Sequence, residues 1–156
     1  MSVDARRLAG IASFLLLVVG GGLAIGTLNR PDGWYAALSK PSFNPPNWVF
    51  APVWTTLYVM IALAGWRVWR APSSVSLRLL WSGQLILNFA WSPLFFGAHR
   101  IDLALIVIVP LLATILTFIA LASRHDRIAA LFFVPYAAWV AFATVLNASL
   151  LLLNGT

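Results

Sequence analysis

Cysteine is absent from the 156 residues, which excludes disulfides, thiolate nucleophiles and sulfur-ligated metals. Charge is scarce. Asp, Glu, Lys and Arg make up 9% of the chain, where a soluble domain carries about 25%. Such a sequence cannot cover a water-facing surface, so the chain is expected to lie in a lipid bilayer. No Ser–His–Asp set, no His–Glu–x–x–His and no glycine-rich phosphate loop is present. The two histidines, His99 and His125, fall at the ends of apolar runs, so two-histidine haem ligation in a bundle core is not expected and no metal site is assigned. No acidic or basic residue lies inside an apolar run, which excludes a carboxylate proton relay of the usual kind.

What the chain does have is 62% hydrophobic residues, cut into lengths by clustered charges. Uncharged runs of 22 residues (between Arg7 and Arg30), 26 (Lys40 to Arg67), 21 (Leu79–His99), 21 (Leu103–Ser123) and 29 (Ile128–Thr156) follow one another. A helix needs about 20 apolar residues to cross ~30 Å of hydrocarbon. The expected fold is therefore all-α, an integral membrane bundle of five transmembrane helices at roughly 8–28, 46–67, 78–98, 102–122 and 128–152, forming one domain over 1–156. The first run is about twice as long as a signal-peptide core and lacks a small-x-small site, so it is read as a retained helix. The net charge of +6 is read as orienting the protein in the membrane, with no nucleic-acid partner. Arg6, Arg7, Arg67, Arg70, Arg78, Arg124 and Arg127 share one side, against Arg30, Lys40 and Arg100 on the other. That bias places the N-terminus in the cytoplasm, and helical spans favour a bacterial inner membrane.

The stretch Lys40–Tyr58 concentrates rigid and flat side chains: Pro41, Pro45, Pro46, Pro52, Trp48, Phe50, Trp54 and Tyr58. Residues 29–47 form the one link with content. Pro31-Asp32-Gly33 reads as a turn, Trp34 and Tyr35 as an interfacial segment or a lid, and Pro45-Pro46 as a stiff approach to the second helix. Three spans carry aromatic-plus-amide stripes at helical spacing. These are Ala51, Trp54, Thr55 and Tyr58 in the second, Trp81, Gln84, Asn88 and Trp91 in the third, and Tyr136, Trp139, Ala143 and Asn147 in the fifth. The fourth span has almost none. Packing with polar glue is one reading of each stripe. Three together under a stiff loop point to a mostly apolar ligand cavity between helices. Asn88 and Asn147 are its expected hydrogen-bonding groups, Trp54, Trp91 and Trp139 its flat walls, and Pro135 a bend in the fifth helix.

Three ordered motifs carry a resemblance. They are WY-x-x-L-x-KP-x-x-x-PP-x-W-x-F-x-x-x-W-x-x-LY in the first link and second span, GQL-x-LN-x-x-W-x-P-x-FFG from Gly83 to Gly97, and PY-x-x-W-x-x-x-AT-x-LN from Pro135 to Asn147. Along nearly the whole chain the sequence resembles the TspO/MBR family, that of the translocator protein or peripheral-type benzodiazepine receptor. The resemblance implies a five-helix bundle, often a homodimer, that binds porphyrins such as protoporphyrin IX. In animal members it also implies cholesterol and benzodiazepine-type ligands. Roles in tetrapyrrole regulation, stress response and transport come with it, as does light-dependent porphyrin breakdown in some bacterial members. The family's pocket residues correspond to Trp54, Asn88, Trp139 and Ala143.

The sequence departs from the family pattern at several points. Ala148 and the run Ser149–Leu153 stand where a cholesterol motif is proposed, so cholesterol binding is not carried over. The G-x-x-x-G of the third helix is reduced to Leu79 and Gly83, while Gly22 and Gly26 make one in the first span. The expected function is a membrane receptor for porphyrins, haem-type tetrapyrroles and similar flat apolar ligands, with no cofactor required. The candidate ligand-binding set is Trp34, Tyr35, Pro45, Trp48, Phe50, Trp54 and Tyr58, with Gln84, Asn88, Trp91, Tyr136, Trp139, Ala143 and Asn147. Two alternatives remain open. One is an enzyme degrading porphyrin with light and oxygen, using Trp54 and Trp139 as redox partners. The other is a facilitative transporter of tetrapyrroles or lipids.

Overall fold

The structure is a computed structural model describing residues 3–71 and 74–155; residues 1, 2 and 156, the ends of the expected domain, lie outside it, as do 72 and 73. It is all-helical among these residues, and we number six helices. Helix α1 is Val3–Leu28, α2 the short Gly33–Ala37, α3 Asn47–Arg70, α4 Val75–Ser92, α5 Ile101–His125 and α6 Arg127–Asn154. A π-helical turn at Leu16–Gly20 interrupts α1, and another at Pro93–Gly97 prolongs α4. Four helices, α1, α3, α5 and α6, are long and apolar enough to cross a membrane. The expected third span is α4 with its π turn, which carries Arg78, Gln84 and Asn88 and falls short of that standard.

Several helix boundaries have a local cause. Asp126 caps α6, accepting at Oδ1 from the backbone N–H groups of Ile128 and Ala129 at 3.1 and 3.0 Å. Ser74 caps α4 through Leu77 N–H, and Asp32 caps α2 through Tyr35 N–H. These caps satisfy donors that a helix leaves free at its start. Pro46 precedes α3, where its lack of an N–H costs nothing. Pro93 opens the π turn, whose wider ring is closed by Ala98 N–H to Pro93 C=O at 2.8 Å. Helix α6 runs unbroken through Pro135. The helices outrun the expected apolar spans at most ends because their terminal turns carry Arg and polar residues that uncharged runs could not include.

The five long helices form a ring in the order α1, α3, α6, α5, α4, with α4 meeting α1 again. Apolar side chains gain little by leaving lipid for protein, so close contact and polar pairing must hold such a ring. Gly65 shows how: a Cβ there would stand 2.3 Å from the Trp81 ring. The bare glycine lets the indole cross from α4 onto the α3 backbone, and Trp81 Nε1 donates to Ile61 C=O at 2.9 Å. At the other end Tyr35, Phe95, Ile101, Ala104, Leu146 and Leu150 form a second core beneath α2.

Candidate functional site

Between α1, α3 and α4 lies a cleft of about 340 Å³. Its walls are Gly22, Leu23, Ile25 and Gly26 of α1, Phe50, Trp54 and Tyr58 of α3, and Asn88, Trp91 and Phe96 from α4 and its π turn. Tyr35 of α2 closes one end, beside Asn29 and Pro31. A second, much smaller void of about 30 Å³ lies deeper, against α5 and α6. Trp139, Val140, Ala143, Leu146 and Asn147 line it together with Ile108 and Leu111. Tyr35, Phe50, Trp54, Asn88, Trp91 and Phe96 face both spaces. They form the partition between the open cleft and the nearly filled centre of the ring.

The buried amides are committed to protein. Tyr58 hydroxyl donates to Asn88 Oδ1 at 3.3 Å, and Asn88 Nδ2 donates to the Tyr136 oxygen at 2.7 Å. Tyr136 then donates to Gln84 Oε1 at 2.9 Å, and Gln84 Nε2 ends the chain on Trp81 C=O at 2.9 Å. On the lid side, Trp91 Nε1 donates to Asn147 Oδ1 at 3.0 Å while Asn147 Nδ2 donates to Ile101 C=O at 2.9 Å. Such satisfaction is what an apolar surrounding demands. Trp139 is the exception: its Nε1 is buried and has no hydrogen-bond partner among the described residues. Leaving such a donor bare costs about 1–3 kcal/mol.

Residues 29–47 fold over this end of the ring. Asp32 accepts from Tyr35 N–H at 3.2 Å and meets His99 Nε2 at 3.2 Å. The Tyr35 backbone hydrogen bond, with help from His99, holds the Asp32 carboxyl below its ordinary range. Trp34 stacks on the His99 ring at 4.3 Å between centroids. His99 itself adopts a left-handed backbone, φ 56°, which turns the chain from the π turn into α5. Burial pushes the Tyr35 hydroxyl up, against the hydrogen bond it shares with Asn44 Oδ1. At the far end Ser39 and Asn154 exchange two hydrogen bonds, of 2.8 and 3.0 Å, tying the lid to the last turn of α6.

The structure sorts the residues singled out from the sequence. Tyr35, Phe50, Trp54, Tyr58, Asn88, Trp91, Trp139, Ala143 and Asn147 line the cleft or the inner void. Gln84 and Tyr136 line neither; both are fully buried inside the hydrogen-bond chain. Trp34 lies outside the walls, on His99 and Phe95. Pro45 is half-buried in the lid, and Trp48 turns outward, 74% exposed. The α1 wall went unread. Its signal was the pair Gly22 and Gly26, the G-x-x-x-G of the first span. Here Gly22 receives the Tyr58 ring, a Cβ there falling 2.2 Å from it, and Gly26 meets nothing within 4 Å and leaves space.

The sequence is similar to known proteins along nearly its whole length. The model of the TspO/MBR family matches residues 13–153. "Tryptophan-rich sensory protein" of Cereibacter sphaeroides is 38% identical over 89% of this chain and 88% of its own. "Protein CrtK" of Rhodobacter capsulatus is 37% identical over 84% of each. "Translocator protein" of Sus scrofa is 41% identical over 73% of this chain and 70% of its own.

Proposed function

The chain belongs to the TspO/MBR family, and from that membership and the shape of the cleft we propose that it is a membrane receptor for porphyrins such as protoporphyrin IX and similar flat apolar ligands. One observation carries the reading. A space of about 340 Å³, within the ~300–1,000 Å³ usual for small-molecule pockets, is walled by Phe50, Trp54, Tyr58, Trp91 and Phe96. Flat rings on two helices offer stacking and burial, at ~25 cal/mol per Å² of apolar surface removed from water. The amides hold the walls in place, since their own hydrogen bonds are already made. The ligand's acceptor group belongs to Trp139 Nε1, reached when the ligand parts Trp54 and Trp91 and enlarges the inner void.

Five crossings fit this assignment. Val75–Gly97 is 23 residues long, about 34 Å of helical rise, and its amides face protein rather than lipid. With five crossings the arginine-rich end is cytoplasmic and the lid outside, in a bacterial inner membrane. A homodimer joins through the outer face of α4, where Leu79 and Ile86 are 67% and 69% exposed. Nothing stands within 4 Å of a Cβ on Gly83, between them in sequence.

Titration of the purified chain with protoporphyrin IX tests the reading. Saturable quenching of tryptophan fluorescence is expected. Trp139→Phe keeps an aromatic ring but removes the donor and part of the indole surface, and should weaken binding at least about fivefold, the weight of one hydrogen bond near 1 kcal/mol. Quenching that never saturates sinks the proposal.

A further inference from the structure

At the end of the ring opposite the lid, a recess of about 320 Å³ opens between the end of α3 and the α5–α6 turn. Its walls are Trp66, Arg67, Arg70, Ala71 and Asp126. We propose that this recess binds the phosphate group of an anionic phospholipid headgroup, with Arg70 as the principal contact. The charges point that way. Arg67 Nε donates to both carboxylate oxygens of Asp126, at 3.1 and 2.9 Å, and Asp126 Oδ1 also caps α6. The one acidic wall is therefore neutralised within the fold. Arg70 forms no ion pair with a described carboxylate; its guanidinium lies over the Trp66 ring, 5.2 Å from the centroid. Stacking of this kind fixes the plane of a guanidinium and leaves its edge for a planar or tetrahedral oxyanion.

The remaining wall is arranged to tolerate an anion. The carbonyl of Ala71 would repel one, but Arg78 Nη2 donates to it at 3.3 Å. Arg78 in turn lies over Trp69, 5.5 Å from its centroid, and its Nε is buried without a hydrogen-bond partner among the described residues. Gly10 of α1 abuts the Trp66 indole, a Cβ there standing 3.0 Å from Nε1, which brings Arg6 and Arg7 to the same end one turn earlier. Two indoles beside this recess, Trp69 46% exposed, suit the depth of lipid headgroups. A lipid phosphate is thus favoured over a free anion: Trp66 and Trp69 offer apolar surface for the glycerol and upper acyl chain.

The test uses the full chain in detergent, titrated with short-chain phosphatidylglycerol, with phosphatidylcholine and with inorganic phosphate, bound lipid being counted by native mass spectrometry. Phosphatidylglycerol should be retained in preference to phosphatidylcholine. Arg70→Gln should lower that preference about fivefold, the weight of one arginine at an anionic surface, while Arg70→Lys keeps part of it. Arg124→Gln removes the same charge from the exposed last turn of α5, outside the recess, and should change the preference little. A loss in Arg124→Gln equal to that in Arg70→Gln overturns the site in favour of a diffuse field. Displacement of the lipid by millimolar inorganic phosphate assigns the recess to a free anion and overturns the lipid. Thermal unfolding and protoporphyrin quenching, read on each variant, separate loss of the recess from loss of the fold.

Discussion

Asn88 Nδ2 donates to the Tyr136 hydroxyl oxygen at 2.7 Å, and that bond fixes what an amide at the centre of the ring can do. Asn88 also accepts from Tyr58, so its carbonyl and its amide are both in use before any ligand arrives. Its place on the cleft wall is structural as much as it is recognition. It locks α3 to α6 through α4, and it presents to the cleft the edge of a group that is already satisfied. Affinity must then come largely from the rings on either side, and orientation from Trp139 Nε1, buried with no hydrogen-bond partner among the described residues.

Tyr136→Phe should separate stability from binding. The hydroxyl is fully buried, accepts from Asn88 and donates to Gln84. Its removal leaves two buried groups short of a partner, at about 1–3 kcal/mol. The thermal midpoint in detergent should fall, whereas protoporphyrin affinity should change less than about twofold (under ~0.5 kcal/mol), since Tyr136 lines neither space. Affinity lost with no change in midpoint would contradict the placement.

Gly22→Ala should narrow the cleft. The added methyl falls 2.2 Å from the Tyr58 ring, so the ring must move, and with it the bond to Asn88. An affinity loss of about tenfold, some 1.4 kcal/mol, is expected in the protoporphyrin titration. Gly20→Ala is the control, because a Cβ there is in ordinary contact, 3.5 Å from Leu16 Cδ1, and Gly20 lies outside the cleft walls. Equal effects at the two glycines would mean that helix flexibility, and not the cleft wall, is being measured.

The contrast between these two glycines shows what the sequence could and could not convey. The stripes Trp54–Tyr58, Asn88–Trp91 and Trp139–Asn147 were legible because helical spacing turns each onto one face, and polar atoms in hydrocarbon must face protein. Which amide meets ligand and which meets its neighbour depends on separations across the ring, and spacing along a helix holds no such information. Gln84 and Tyr136 share the stripes yet sit one layer outside the cavity. The α1 wall was silent for another reason. It contributes space rather than side chains, and a glycine that admits a ring looks the same in sequence as one that admits a helix. Trp48, at the start of α3, follows Pro46 and turns outward because the lid, and not α3, supplies the cover at that end.

The lid should loosen in acid. Asp32 is held below the ordinary carboxyl range, by the Tyr35 N–H first and His99 with it. A depressed folded value means that the ionised form supports the closed lid. That support is complete above the unfolded Asp value, about 3.9, and is lost as pH falls through the lower folded one. Amide hydrogen exchange across residues 33–38, corrected for its intrinsic pH dependence and read by mass spectrometry, should accelerate as pH falls toward that range. Asp32→Ala, which removes both the cap and the contact with His99, should exchange fast at every pH. A variant as protected as the parent would show that Ser39 and Asn154 alone hold the lid.

Asp126 should matter far more to the fold than its place in a two-helix turn suggests. Burial opposes its ionisation, yet the Arg67 hydrogen bond and the N–H groups of Ala129 and Ile128 outweigh that and hold its carboxyl below the ordinary range. One side chain thereby caps α6 and ties it to the last turn of α3, at 16% exposure against 32% for Arg67. Asp126→Ala should cost about 1–2 kcal/mol for the cap. It also leaves the half-buried guanidinium unpaired. Arg67→Gln removes the pair and keeps the cap, so it should cost less. The double variant should fall short of the sum by about 0.5 kcal/mol or more, the coupling of groups in contact. Chemical denaturation in detergent measures all three, and strict additivity would show that the cap and the ion pair act independently. Because the folded pKa is depressed, the contribution of Asp126 is present above the unfolded value and disappears as pH falls through the folded one. The parent and Asp126→Ala should therefore converge in stability in acid, and a gap that persists there would assign the effect to packing alone.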